Sequence, residues 1–156
     1  MNKAVDRMIW VIERVVILML AISVVVIAAQ VFWRYVLREP LGWTEQVARY
    51  LFVWMIFLGI PITFHKGMTA GFDVLQSVLK HRGAMVLEVI IQLLICGFAV
   101  FYFIYSLDLC IITGGRMVAG VIIPQNLIYI VQPISALLLL IVGFNRMLSV
   151  FKSQKI

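Results

Sequence analysis

The sequence predicts an all-α integral membrane protein with four transmembrane helices, and three observations carry that reading. The 156-residue chain is 64% hydrophobic and only 13% charged, whereas a soluble domain holds about 45–50% apolar residues. The apolar residues gather into four long runs, Val15–Trp33, Tyr50–Phe64, Val89–Leu107 and Met117–Phe144. A helix needs ~20 such residues to cross the hydrocarbon core, at ~1.5 Å rise per residue. Four such runs leave too little polar sequence to cover them as a soluble core. The chain is therefore read as one domain over 1–156, with spans at about 12–35, 44–65, 86–108 and 122–146.

The first helix is expected to begin well before the membrane. Lys3, Asp6, Arg7, Glu13 and Arg14 are read as one charged face, with Met8, Ile9, Val11 and Ile12 on others and Trp10 at headgroup level. Basic residues before an apolar run that reaches Ala28 and Ala29 also suit a cleaved leader. The uncharged stretch continues through Val31–Trp33, long enough to span, so the segment is expected to stay. Pro40 and Gly42 then break the helix. Thr44 reads as the N-cap of helix two, with Glu45 facing its positive end.

Residues 68–82 join helices two and three. Met68, Phe72, Leu75, Val78 and Leu79 share one side of a helical wheel, and Thr69, Asp73, Gln76, Ser77 and Lys80 the other. Too polar to span, the segment reads as a short amphipathic helix lying in the interface, with a groove for a partner helix as the other reading. Gly114-Gly115 reads as the end of helix three, and Pro124 as the start of helix four. Cys96 and Cys110 fall on or beside the third span, ~21 Å apart along a helix, too far for a disulfide.

Nine Lys and Arg residues lie on the side of the termini and of the 65–84 loop, against four on the other side. The positive-inside rule then puts both termini in the cytoplasm. The net charge of +6 reflects that topology and contact with membrane lipids; no nucleic-acid motif accompanies it.

The spans hold little chemistry. Ser23, Gln30, Gln92, Ser106 and Ser135 are scattered single polar groups, the kind that hydrogen-bond between helices. No ionisable residue sits at mid-span, where a lone pump or carrier would need one. A haem-bearing anchor of a respiratory enzyme needs histidines inside the bundle. His65 and His81 instead fall in the loop and read as surface residues. Neither cysteines nor histidines have metal-ligand spacing. No catalytic residue, metal or cofactor is expected, and the chain is not read as an enzyme. A stand-alone oligomeric carrier is the other alternative.

The informative region is the bend. Residues 34–49 carry five charges of both signs, Arg34, Arg38, Glu39, Glu45 and Arg49. Glu45 and Arg49 are an i,i+4 pair on one helix face. Trp33, Tyr35 and Trp43 mark the interface, and Trp54 lies two to three turns into helix two. An aromatic belt accounts for the tryptophans; it does not account for the charges. Arg34, Tyr35, Arg38, Trp43, Glu45, Arg49 and Trp54 are thus candidates for docking another protein, the other reading being a salt bridge that staples helices one and two.

The run FWRYVLREPLGWTEQVARYLFVW at 32–54 resembles the signature of the small membrane subunit of tripartite ATP-independent periplasmic (TRAP) transporters, the DctQ-like family. Arg34, Tyr35, Pro40, Trp43, Glu45, Arg49, Trp54 and Gly59 match it, and Gly67 and Asp73 fit the segment that follows. Gln46 stands where many members have a second acid, and Thr69 where many have a histidine. The resemblance implies a bacterial inner-membrane subunit with two partners. One is a larger membrane subunit holding the sodium sites and the substrate path; the other is a periplasmic binding protein that delivers an organic acid, with sialic acid suggested by general likeness. The small subunit would be scaffold and docking surface. Phe72, Asp73, Leu75 and Leu79 would belong to the horizontal helix of the family.

Overall fold

A computed structural model describes residues 3–38, 42–67, 81–115 and 124–153. Four long helices dominate them: α1 Lys3–Phe32, α2 Gly42–His65, α3 His81–Thr113 and α4 Val131–Ser153. Each contains a segment long and apolar enough to cross a membrane. The interfacial helix expected at 68–82 lies outside the described residues, except that His81 and Arg82 already belong to α3. Pro40 also lies outside them.

Some helix ends agree with the sequence expectation and others differ, in ways the residues explain. α1 is continuous for 30 residues from Lys3, or ~45 Å, so its charged start and its span form one rod. It continues into a π-helical turn, Trp33–Leu37, and stops at Arg38, whose left-handed φ of 57° turns the chain away. α2 starts at Gly42, so Thr44 is a buried residue of the first turn and not the flanking cap. α3 runs on to Thr113, carrying Asp108 inside the helix, and ends at the Gly114-Gly115 turn. Helix four begins as a single turn, Asn126–Tyr129, with Leu127 N–H donating to Pro124 O, and only then continues as α4. The interruption at Ile130 has a cause in Pro133, which lacks an N–H and crowds the carbonyl four residues back, that of Tyr129.

The helices neighbour one another in the order α1, α2, α4, α3. α4 is the most covered span and α1 the least. α1 meets α4 mainly near its first turns, where Val5 and Ile9 join Ile62, Phe64, Ala99, Leu139 and Val142 in one core cluster. Leu58, Val131 and Leu138 make a second. Rings bind α3 into the row: Tyr102 stacks on Phe98 at 5.8 Å and on Phe57 of α2 at 6.3 Å. α3 and α4 approach closely at Gly143, where an added Cβ would sit 3.0 Å from Cys96 Sγ.

One polar contact organises the middle of the bundle. Pro61 lies inside α2 and is buried. Its missing N–H leaves the Phe57 carbonyl, four residues back, without its helical donor. Ser135 of α4 supplies it, Oγ to Phe57 O, at 2.5 Å. Every backbone group in a bilayer must be satisfied within protein, so this hydroxyl fixes α4 against α2. Ser106, by contrast, does not bridge helices as expected. Ser106 Oγ donates to Phe103 O of its own helix at 2.9 Å, the usual back-bond of a helical hydroxyl. Gln92 Oε1 is buried with no hydrogen-bond partner among the described residues.

Candidate functional site

At the bend the candidate residues divide into an outward set and one that turns inward. The π-helical turn adds a residue to one turn of the rod and so shifts the facing of Arg34 and Tyr35. Tyr35 is 74% exposed, and Arg38 follows at the left-handed stop. Among the described residues neither Arg34 nor Arg38 has an ion-pair partner. Trp43 is exposed on the first turn of α2. Arg49 Nη2 meets Glu45 Oε1 at 3.4 Å, with both side chains more than three-fifths exposed. A pair that open contributes about 0.5 kcal/mol or less. It joins residues of one helix, so within this chain it does not tie helix one to helix two.

Trp54 behaves differently. Its indole Nε1–H donates to the carbonyl of Leu127 at 3.0 Å. It thereby ties the middle of α2 to the turn that opens helix four, and its polar edge is directed into this chain. Phe72, Asp73, Leu75 and Leu79 lie outside the described residues.

Sequence reasoning missed a second constellation at the opposite end. Lys66 Nζ donates to Glu13 Oε1, and His65 Nε2 lies 3.0 Å from Asp6 Oδ1. Arg146 of α4 donates from Nη1 to the Phe64 carbonyl at 3.0 Å, and its guanidinium lies 5.4 Å from the Phe64 ring centroid. His65 is therefore no surface histidine: its side chain is 12% exposed, because α1 extends alongside the end of α2 and brings Asp6 to it. The charges at the start of α1 also split between two faces. Asp6, Ile9 and Glu13 line one cavity toward α2 and α4, while Arg7 and Arg14 are exposed, Arg14 lying 5.1 Å over Trp10. At 100° per residue Asp6 and Glu13 fall ~20° apart and Ile9 sits beside them; that spacing was the available signal. Among the described residues no three His, Cys, Asp or Glu side chains gather as a metal site.

Comparison with known proteins adds two findings. Residues 23–153 match the family described as tripartite ATP-independent periplasmic transporters, DctQ component. The chain is also 27% identical, over 142 residues, to a Haemophilus influenzae protein named as a TRAP transporter small permease protein, covering 88% of this chain and 85% of that one. The family match begins at residue 23, so it takes in the whole bend but not Asp6 or Glu13.

Proposed function

Because the chain belongs to the family of DctQ components of tripartite ATP-independent periplasmic transporters, we propose that it is the fixed scaffold of a sodium-coupled organic-acid carrier, bracing a larger membrane subunit and offering the periplasmic binding protein part of its landing surface. Family membership makes it a small permease component and not an enzyme, a multi-pass protein of the bacterial inner membrane. It also displaces the haem-anchor and lone-carrier readings.

The observation that supports a scaffold is the placement of charge. No Asp, Glu, His, Lys or Arg lies between Arg14 and Arg34, between Arg49 and His65, between Glu88 and Asp108, or between residue 116 and Arg146. Moving sodium and a carboxylate through a bilayer calls for polar groups at depth. A chain with none leaves the pathway to its partner. The docking role rests on the bend, where Arg34, Tyr35, Arg38 and Trp43 are exposed beside the open Glu45–Arg49 pair. Cytoplasmic termini, favoured by the excess of Lys and Arg at their end, would turn that bend toward the periplasm. Sialic acid as the acid carried rests on family likeness and on no residue of this chain.

Charge reversal tests the docking role. Arg34→Glu and Arg38→Glu are placed in the complete transporter, and uptake of labelled sialic acid and other organic acids is measured beside membrane abundance. Interfacial charge pairs couple by about 1.5 kcal/mol or more, so uptake at limiting binding protein should fall at least about tenfold with abundance unchanged. Normal uptake in both variants would remove the docking claim and leave the scaffold role standing.

A further inference from the structure

The charges at the start of α1 are sorted by face. Asp6 and Glu13 turn toward the end of α2, where they meet His65 and Lys66. Lys3, Arg7 and Arg14 are exposed and form a separate row with Trp10, itself 54% exposed. At 100° per residue these four fall within ~60° of one another, and roughly 150° round the helix from Val5 and Ile9, which pack into the core. The row therefore faces away from the bundle. Among the described residues none of its three cations has an acidic partner. Arg14 lies 5.1 Å over the Trp10 ring.

Local physics disfavours such a row. Lys3 and Arg7 are like charges four residues apart, which repel on a helix. Both stand near the start of α1, and the positive pole of a helix N-terminus repels cations as well. An anion from outside the chain relieves both.

Depth along the rod says which kind of anion. The stretch between Arg14 and Arg34 holds no ionisable residue and is ~28 Å long, close to the ~30 Å of a hydrocarbon core. Arg14 thus marks the edge of the core. Trp10 lies ~6 Å and Arg7 ~10 Å further out, across a headgroup layer of about 5–8 Å. Their long side chains reach the phosphates from both sides of that layer, and Trp10 sits at the depth interfacial rings prefer. Past Arg14 the same face continues as Ile17, Leu18 and Val25, which are 50%, 62% and 67% exposed.

We propose that Arg7, Trp10 and Arg14, with Lys3 beyond them, form a site for an anionic phospholipid, one whose phosphodiester has no ammonium beside it. The phosphate accepts hydrogen bonds from Arg7 and Arg14, and the acyl chains lie along Ile17, Leu18 and Val25. The row selects the headgroup: the ammonium of a zwitterionic lipid meets only cations there, because Asp6 and Glu13 already hold His65 and Lys66. The apolar continuation selects a lipid over a free phosphate.

The test offers the full chain, in mild detergent, phosphatidylglycerol and phosphatidylethanolamine of identical acyl chains and counts retained lipid by native mass spectrometry. The unaltered chain should prefer the glycerol lipid. Each basic side chain at an anionic lipid contributes about fivefold, so Arg7→Gln with Arg14→Gln should lower the preference about twenty-five-fold. Lys152→Gln with Lys155→Gln removes as much charge elsewhere and should change it little. Soluble glycerol 3-phosphate in excess should not displace the bound lipid. Equal retention of the two lipids, a preference that survives the arginine substitutions, or an equal loss in the lysine variant would overturn the proposal. Displacement by glycerol 3-phosphate would overturn the lipid as its source. Should the double arginine variant not fold, Arg7→Gln alone should lower the preference about fivefold, and no change would count against the site. The complete transporter should show the same dependence on the two arginines. A dependence confined to the lone chain would mean that the larger subunit covers this face, and would overturn the proposal too. The readout is bound lipid and not uptake, so it stands or falls apart from the docking role.

Discussion

The Pro61–Ser135 relationship yields a quantitative prediction. In Ser135→Ala the Phe57 carbonyl loses the donor that reaches it at 2.5 Å, and Pro61 prevents the helix from supplying another. An unsatisfied buried carbonyl costs about 1–3 kcal/mol, so the variant should be destabilised by about 2 kcal/mol. Pro61→Ala restores a backbone N–H four residues beyond Phe57. Its own cost includes the small space left by a fully buried ring, which a double-mutant cycle subtracts. With the helical bond restored, Ser135→Ala should cost no more than about 0.6 kcal/mol, the average for hydrogen bonds between membrane helices. The two sites should therefore couple by about 1.4 kcal/mol, a factor of about ten in the unfolding equilibrium. Reversible unfolding of the four proteins in mixed micelles, followed by helical circular dichroism, measures that coupling. Equal costs of Ser135→Ala in both backgrounds would show that the hydroxyl packs but does not replace the missing donor, and the account of how α4 is fixed on α2 would fail.

Two further perturbations probe the contacts between helices at either end. Trp54→Phe keeps the ring and removes the N–H that reaches the Leu127 carbonyl at 3.0 Å; it should cost about 1 kcal/mol in the same unfolding assay, and a cost near zero would mean that the ring alone matters. Glu13→Lys should cost about 1 kcal/mol, a modest figure because the Glu13 and Lys66 side chains keep 32% and 37% exposure. Adding Lys66→Glu should regain most of that loss, and a double variant no better than the single would place the two residues out of register.

Hydropathy carried much of the architecture. The number of spans is legible because bilayer thickness sets a minimum length for an apolar run, and a run of residues is a property of one dimension. The bend was legible for a related reason: charge, Pro and Gly interrupt such runs locally, and a short family signature lies there. Helix ends were less legible. Thr44 looked like a cap because cap chemistry is local, but α2 starts two residues earlier, at Gly42. The early start of α1 was legible, because the helical pattern of its charged residues leads straight into the apolar run.

The second constellation was hidden by sequence distance. Asp6 and His65, Glu13 and Lys66, Phe64 and Arg146 each meet across two different helices. The spacing of Asp6, Ile9 and Glu13 marks one face of α1, but nothing local names what that face meets, so His65 read as a loop histidine and Trp54 as a candidate for docking another protein.

By itself, then, the sequence determined that this chain crosses a membrane four times, keeps ionisable groups out of the middle of its spans and gathers charge at one bend, because each is fixed by the solvent a residue must face. The order of the helices, the Ser135 hydroxyl on the carbonyl that Pro61 leaves bare, the inward turn of Trp54 and the charged cavity beside Asp6 were decided by tertiary structure alone. Spans that are apolar on every side give no periodic signal of which face meets which, and only packing chooses among faces that look alike in hydropathy.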